Sequence, residues 1–577
     1  MRFPSIDILA ARALAILKRF PWTIAAGAAV AAAAIVASKH HADESVLRIA
    51  LVAALGLPLT IALTLTAEVR RWSPLLRTGS LLAGVGALLL FYLDWTGLNG
   101  QGDGVRYLQV TTALHLAVAF LPFVAMHQRV AFWQFNRRLF LGFLKSAIFS
   151  GVIFVGIAIA LGALDKLFGV HVDGDLYLDI WFVTCFVVNT WIFLSTIPDD
   201  LEALAQDHEY PKGLKVFAQY ILTPIAFVYL AILLVYLVKL VAGALWPNGW
   251  IAWLVGSVSV AGLLGYLLVE PLRSDEHEGW IRIYARWFFL GLIPAALMLL
   301  AAFWKRIEPY GLTEPRTVGL LLGIWLLGIA VLFSLRQESS IKLIPMTLSA
   351  MLLATLYGPL SVSRLSIQSQ GRRFASMLAS ADTVRGPAEA SAALRFLIDR
   401  RAEGEIADRI GKPMPKVEWS GIPRYGLARD TLGKQLMALV GKEYVEEGAS
   451  RINRSYFSYS FEEGKAIAID GFAWMGNVNA YDTTRHAIGP DSIQALAARD
   501  GIVRIVVGAD TIGFDLHPLL QTWRDSLMLS RGVPMEAMRI PATVGKRSAA
   551  LLLRSLDGRR AADSLILSHW DGRLLIR

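Results

Sequence analysis

The sequence predicts an all-α polytopic membrane domain of about eleven transmembrane helices, followed by a soluble α+β domain with an antiparallel sheet. Three observations predict it. Hydrophobic residues make up 55% of the 577 and charged residues only 18%, which is far more apolar than a soluble chain. The apolar residues gather in blocks long enough for a helix to cross about 30 Å of hydrocarbon. After Ser361 such blocks stop, and short helical and strand patterns replace them.

Residues 1–19 read as an interfacial amphipathic segment, with Ile6, Leu9, Ala13, Ile16 and Leu17 on one helical face. The membrane domain, 20–360, holds eleven blocks: 20–38, 47–66, 79–95, 108–126, 139–163, 176–196, 218–242, 249–269, 281–303, 316–335 and 341–360. The first block follows Arg12, Lys18 and Arg19 and has the look of a signal peptide. Ten further blocks and the surface helix before it favour a retained span. Alternate connections hold 14 Lys and Arg on one side and 6 on the other. The richer side includes the N-terminus, so the N-terminus is expected in the cytoplasm. An odd span count then puts 361–577 on the opposite side, and one miscounted span reverses that. Cys185 is the only cysteine, so no intramolecular disulfide forms.

Polar groups within spans are costly and therefore candidates for function. Gln109, Thr112 and His115 stand at three-residue steps in the fourth block, and Asn189 lies deep in the sixth. With Asp94 and Asp179 near span ends, they make a candidate intramembrane polar path. The competing reading is interhelical hydrogen bonding. A second candidate is the entry to the seventh span, where Tyr210, Lys212, Gly213, Lys215 and Gln219 form a contact site or an interfacial elbow. In the elbow reading Tyr210 and Pro211 end the preceding structure, Gly213 turns the chain, and the lysines meet headgroups.

Acidic and histidine residues cluster at 199–209 and 270–278, and again at 40–44 and 165–179. None has the spacing of a zinc or calcium site. No metal and no cofactor are expected.

Five stretches occur in order: "FNRRLFLGFLKSAIFSGVIFVGIAIALGALDKLFGVHVDGDLYLDIW", "YPKGLKVFAQYILTP", "PNGWIAWLVGSVSVAGLL", "YGLTEPR" and "GPLSVSRLSIQSQ". In these the chain resembles the bacterial integral-membrane family called domain of unknown function 4153, most clearly from about 130 to 375. The resemblance implies a multi-pass topology and a bacterial inner membrane, with the C-terminal domain periplasmic. It implies no activity, substrate or catalytic residue.

The soluble domain opens with a helix at "AEASAALRFLIDRRAEGEIADRI". "RSYFSYSFEEGKAIAIDGF" reads as two strands about a Glu-Glu-Gly turn. "GIVRIVVG", "TIGFDL", "RSAALLLRSL", "DSLILSHW" and "GRLLIR" read as further strands, and "HPLLQTWRDSLML" as a helix. No nucleophile elbow, phosphate loop or zinc-protease motif is present. From Ser361 onward there are 30 Lys and Arg against 24 Asp and Glu, a mild excess that suits anionic envelope polymers or lipids. Expected partners are the lipid bilayer and envelope components, and nucleic acid is not among them. The leading expectation is a transport or envelope-biogenesis component. A membrane enzyme acting on lipid-linked substrate, and an envelope scaffold or sensor, are the alternatives.

Overall fold

The computed structural model describes residues 6–577 apart from 40–43, 98–100, 127, 244–249, 275–278, 337–338, 381–384, 413–426, 446–455, 461–468, 470, 481–483, 497–500, 523–537, 545–546 and 562–563. The chain divides into two compact units, Met1–Tyr444 and Val445–Arg577.

The first unit is helical. After α1 (Ile6–Arg19) come α2 (Pro21–Lys39), α3 (Glu44–Val69), α4 (Pro74–Asp94), α5 (Gln101–Phe120) and α6 (Arg129–Phe168). They are followed by α7 (Gly174–Leu194), α8 (Lys212–Val241), α9 (Trp250–Val269), α10 (Gly279–Tyr310) and α11 (Glu314–Leu335). Among the described residues, ten helices, α2 to α11, are long and apolar enough to cross a membrane.

Local chemistry sets several of their ends. Ser73 caps α4 by accepting from the Leu76 N–H, with Pro74 as the first helical residue. Asp173 caps α7 through the Asp175 N–H. The 40-residue α6 stops at Gly169, whose φ of 65° suits a residue without Cβ. Two spans contain a π-helical turn, Thr184–Val188 in α7 and Phe217–Leu222 in α8. The second lies just before Pro224, which has no N–H for the α-helical ladder.

The eleventh apolar block differs from its expected form. Its helix, α12, covers only Leu343–Ala354, 12 residues, because the chain turns at 355–360, where Gly358 has φ 81°. Yet it runs antiparallel to α5 along most of that span. Lys342 Nζ donates to the carbonyls of Phe123 and Met126 at 3.2 and 2.8 Å. Ser349 Oγ donates to Ala113 O at 2.9 Å, and Gln109 Nε2 to Thr355 Oγ1 at 3.2 Å. Tyr357 then lies under the Arg106 guanidinium, 5.2 Å from its ring centre. From the level of Phe123 to that of Arg106 is about 25 Å of helix rise. Helix and turn together therefore pass from one end of the bundle to the other.

Two ends can be distinguished. The near end carries α1, the connection 195–211 and Lys342: Arg19 pairs with Glu68 at 2.8 Å and Asp199 at 3.0 Å, and Arg77 reaches the Arg19 carbonyl. The far end carries Asp94, Arg106, Gly311 and Tyr357. Helices α13 (Val362–Leu378), α14 (Arg385–Asp399), α15 (Glu403–Ile410) and α16 (Leu427–Leu439) pack at the far end. Their own core is built on Phe374, Leu394, Leu397, Leu436 and Met437. Gln370 Nε2 fastens them by donating to Tyr310 O and Leu312 O, both at 2.8 Å.

The second unit is mainly antiparallel sheet. One sheet has the order β1 (Tyr456–Ser460), β8 (Arg547–Ala561), β9 (Ser564–Ile576), β2 (Trp474–Asn479), with β7 (Arg539–Val544) also paired to β8. The other runs β3 (His486–Ile488), β4 (Asp491–Ala495), β5 (Ile502–Val507), β6 (Asp510–Asp515). Alternating burial along β5 places Val503, Ile505 and Val507 in a core with Phe514, Leu551, Leu553 and Trp570. Ser564–Ile576, which covers most of "DSLILSHW" and "GRLLIR", forms one strand rather than two, because β8 pairs with it from end to end and absorbs the irregularity in two register shifts. The Glu462–Glu463–Gly464 turn and most of "TWRDSLML" lie outside the described residues. A short helix, α17 (His517–Thr522), precedes the latter.

Candidate functional site

The most connected polar cluster of the membrane unit lies at the near end, around the entry to α8. The first turns of α6 present Trp133, Gln134, Arg137 and Arg138 at steps of one, three and one, so all four face the 207–210 segment. Gln134 Nε2 donates to Asp207 O at 2.7 Å and Glu209 O at 3.1 Å. Arg137 donates to Glu209 O at 2.7 Å, and Arg138 pairs with the Asp207 carboxylate at 2.9 Å. That carboxylate also accepts from the Glu209 N–H at 3.0 Å. Partial burial works against its charge, but this N–H, Arg138 and Arg137 outweigh burial and hold Asp207 below the usual carboxylate range.

Tyr210 completes the cluster. Its ring stacks on Trp133 with centres 5.2 Å apart, and its hydroxyl donates to Leu268 O at 2.9 Å. Trp133 Nε1 donates to the neighbouring Leu267 O at 2.8 Å. Burial pushes the Tyr210 phenol up to about 12, against the pull of Arg137. Three elements, α6, the 195–211 connection and the end of α9, are thus tied by side-chain donors to backbone carbonyls.

The other predicted elbow residues have different surroundings. Pro211 is the N-cap of α8, and Lys212 is its first residue. Gly213 lies inside the first helical turn, not at a sharp bend, which corrects the turn expected there. Lys212 and Gly213 are exposed, Lys215 is half-buried, and Gln219 is buried within the π-helical turn. Gln134 and Arg137 carry this cluster, yet in the sequence they are only part of a basic stretch. Their spacing ahead of an apolar run was the available signal.

The predicted polar path is not brought together. Gln109 is buried against α12, and its Oε1 has no hydrogen-bond partner. Thr112 and His115 are exposed on another face of α5, where His115 Nδ1 bonds Thr111 O of its own helix at 2.8 Å. Asn189 Oδ1 accepts from Ser150 Oγ at 3.5 Å. Asp94 pairs with Arg106, and Asp179 pairs with Lys39 at 2.6 Å. Five of the six thus bond to different neighbours, and Thr112 is exposed.

A third cluster was not anticipated. Glu314, at the first turn of α11, is fully buried and binds Arg400 of the α14–α15 junction through two hydrogen bonds of 2.7 and 2.9 Å. Gly102 faces the same carboxylate, and a Cβ there would lie 2.9 Å from Glu314 Oε1. Among the described residues, no three His, Cys, Asp or Glu side chains converge as a metal site. His40, His41, Asp43 and residues 275–278 lie outside the described residues.

A family model described as "Domain of unknown function (DUF4153)" matches residues 24–376. The chain is also 24% identical over 193 residues to "Uncharacterized protein PM1469" of Pasteurella multocida (strain Pm70). That match spans 33% of this chain and 32% of the relative, about a third of each. No solved structure matches.

Proposed function

The chain belongs to the family described as "Domain of unknown function (DUF4153)", and on that footing we propose that it is a multi-pass component of the bacterial inner membrane serving envelope transport or biogenesis. Its N-terminus is cytoplasmic, and residues 361–577 are periplasmic. The observation that carries this reading is the pairing of 342–357 with α5, from Lys342 at Phe123 to Tyr357 at Arg106. It supplies an eleventh crossing, so α1 and α13 belong to opposite ends. The cationic near end, with Arg19, Arg70, Arg71, Arg137, Arg138 and Lys212, is the side that resists translocation. Helix α1 then lies along the cytoplasmic surface, with Leu14 and Leu17 exposed for lipid contact.

Compact packing extends to Tyr444, but the spans end by 360, and we place the functional boundary there. The periplasmic helices are held on the bundle by Glu314–Arg400 and by Gln370. A partner engaged in the periplasm therefore acts on a platform fixed to the membrane helices. The elbow residues Tyr210, Lys212 and Lys215 anchor the cytoplasmic end in this reading.

Deletion of the gene, scored by entry of large antibiotics normally held back by the envelope, tests the role. The account expects a barrier defect that wild type corrects and Arg400→Ala, at equal protein level, does not. A deletion strain with an unaltered barrier and unaltered envelope composition contradicts it.

A further inference from the structure

The far end of α10 and α11 carries a groove that none of the contacts above uses. Arg316, Leu320 and Ile324 follow at steps of four on α11, so they form one line down its surface. Leu300, Ala301, Trp304 and Lys305 face this line from α10. The space between them is an open groove of about 590 Å³ with almost wholly apolar walls. Trp304 and Ile324 are 66% and 53% exposed, so the groove opens to the surroundings of the bundle.

Positive charge collects at its head. Arg306 follows the groove residue Lys305, and both are exposed. Arg306 and Arg373 are close enough for their charges to act on Arg316. Arg316 and Arg373 flank one aromatic ring, with their guanidinium carbons 5.7 and 5.9 Å from the centre of Tyr310. Among the described residues, Arg373 meets Glu389 at 3.4 Å, while Arg316 donates to the carbonyls of Gly311 at 2.9 Å and Tyr310 at 3.3 Å. Like charges gathered at the edge of a low-dielectric slab repel one another unless an anion joins them.

We propose that this groove holds an acyl chain of an anionic phospholipid, whose phosphate is bound by Arg306, Arg316 and Arg373 with Lys305 at the rim. The line from Arg316 to Ile324 descends about 12 Å along the helix, so head and tail are met by one continuous surface. Trp304 has the amphipathic ring suited to the headgroup level. A zwitterionic lipid fills the same groove but brings a compensating cation to the arginines. Inorganic phosphate brings the charge and leaves the apolar walls bare. An anionic lipid alone satisfies both parts.

Assignment to the periplasmic leaflet rests on the topology proposed above, whereas lipid binding in detergent does not. The test is a titration of the full chain, purified in detergent, with dioleoyl phosphatidylglycerol, dioleoyl phosphatidylcholine or inorganic phosphate, read by native mass spectrometry and thermal melting. Phosphatidylglycerol is expected to bind and raise the melting temperature, with phosphatidylcholine weaker by about tenfold and phosphate without effect. Arg306→Gln, at an exposed position, should weaken phosphatidylglycerol about fivefold. Ile324→Trp, which keeps every cation and fills the groove, should weaken it as well. Equal binding of the two lipids, a full shift with phosphate alone, no lipid binding, or wild-type affinity in both variants would overturn the proposal.

Discussion

The Glu314 carboxylate and the Arg400 guanidinium meet side by side, Nε to Oε1 at 2.7 Å and Nη2 to Oε2 at 2.9 Å, across 86 residues of chain. Glu314 is wholly buried, and the Arg400 side chain is 10% exposed and lies 3.6 Å over the Phe396 ring. A pair of this kind repays its desolvation only when both partners and the geometry are present.

Removing one partner should therefore cost more than removing both. Arg400→Ala leaves a buried carboxylate unpaired and should lower stability by about 3–5 kcal/mol. Glu314→Gln with Arg400→Met should recover much of that loss. Thermal unfolding of the purified variants checks this, and a double variant no better than Arg400→Ala contradicts the pairing argument.

Helix α2 approaches the π-helical turn of α7 through Gly27. A Cβ on Gly27 would sit 2.4 Å from the Phe186 carbonyl oxygen, which is backbone and cannot swing aside. Gly27→Ala should destabilise by about 1–3 kcal/mol. Gly86→Ala, where nothing lies within 4 Å, should be neutral or stabilise by up to about 1 kcal/mol through helix propensity. Melting temperatures moving equally in the two variants would show that the close approach is unimportant.

The near-end cluster should respond to pH at both extremes. Asp207 has a depressed pKa, so its contribution is present above its unfolded value near 4 and is lost as pH falls through the lower folded value. Tyr210 has a raised pKa of about 12, so its contribution is present below its unfolded value near 10 and is lost as pH rises through 12. Asp207→Asn should flatten the acid limb of stability against pH, and Tyr210→Phe the alkaline limb. Limbs unchanged in both variants would count against the cluster as an anchor.

Gln109 and His115 should separate although they lie six residues apart on one helix. Gln109 is buried and bonds α12, so Gln109→Leu should cost about 1 kcal/mol. His115 is exposed and bonds its own helix, so His115→Gln should cost less than about 0.6 kcal/mol. A proton-carrying His115 would reveal itself by normal stability with loss of the envelope phenotype. The present reading expects that phenotype to persist.

Much of this fold was legible because a bilayer imposes length and composition on each crossing. Among the described residues, ten apolar blocks became ten helices long and apolar enough to cross a membrane, and the switch to alternating patterns announced the sheets through β5, β6 and β8. The stretches β2, β3, β4 and β7 do not read as strands: β3 and β4 are too short to show a period, β2 holds Gly476 and two asparagines, and β7 holds Pro541. The α12 helix was visible as apolar sequence, but it ends at Ala354 because the chain turns at 355–360, which periodicity does not record. Pro211, expected only to end the preceding structure, is the N-cap of α8, which starts at Lys212 rather than at 218. Gly213 misled, because glycine also tolerates a helical turn. The long-range ties, Glu314 to Arg400 and Arg137 to the 207–209 segment, join residues that nothing in their own neighbourhoods links.

The central claim is that α1 and α13–α16 lie on opposite sides of the membrane. Cys185→Ser removes the only native thiol, and single cysteines can then replace exposed Glu202 in the 195–211 connection or exposed Gly404 in α15. Labelling with a membrane-impermeant maleimide, in cells with a permeabilised outer membrane and an intact inner one, reads the side directly. The account predicts that Gly404→Cys is labelled in such cells and Glu202→Cys only after lysis. The reverse pattern, or both positions labelled from the same side, would contradict it.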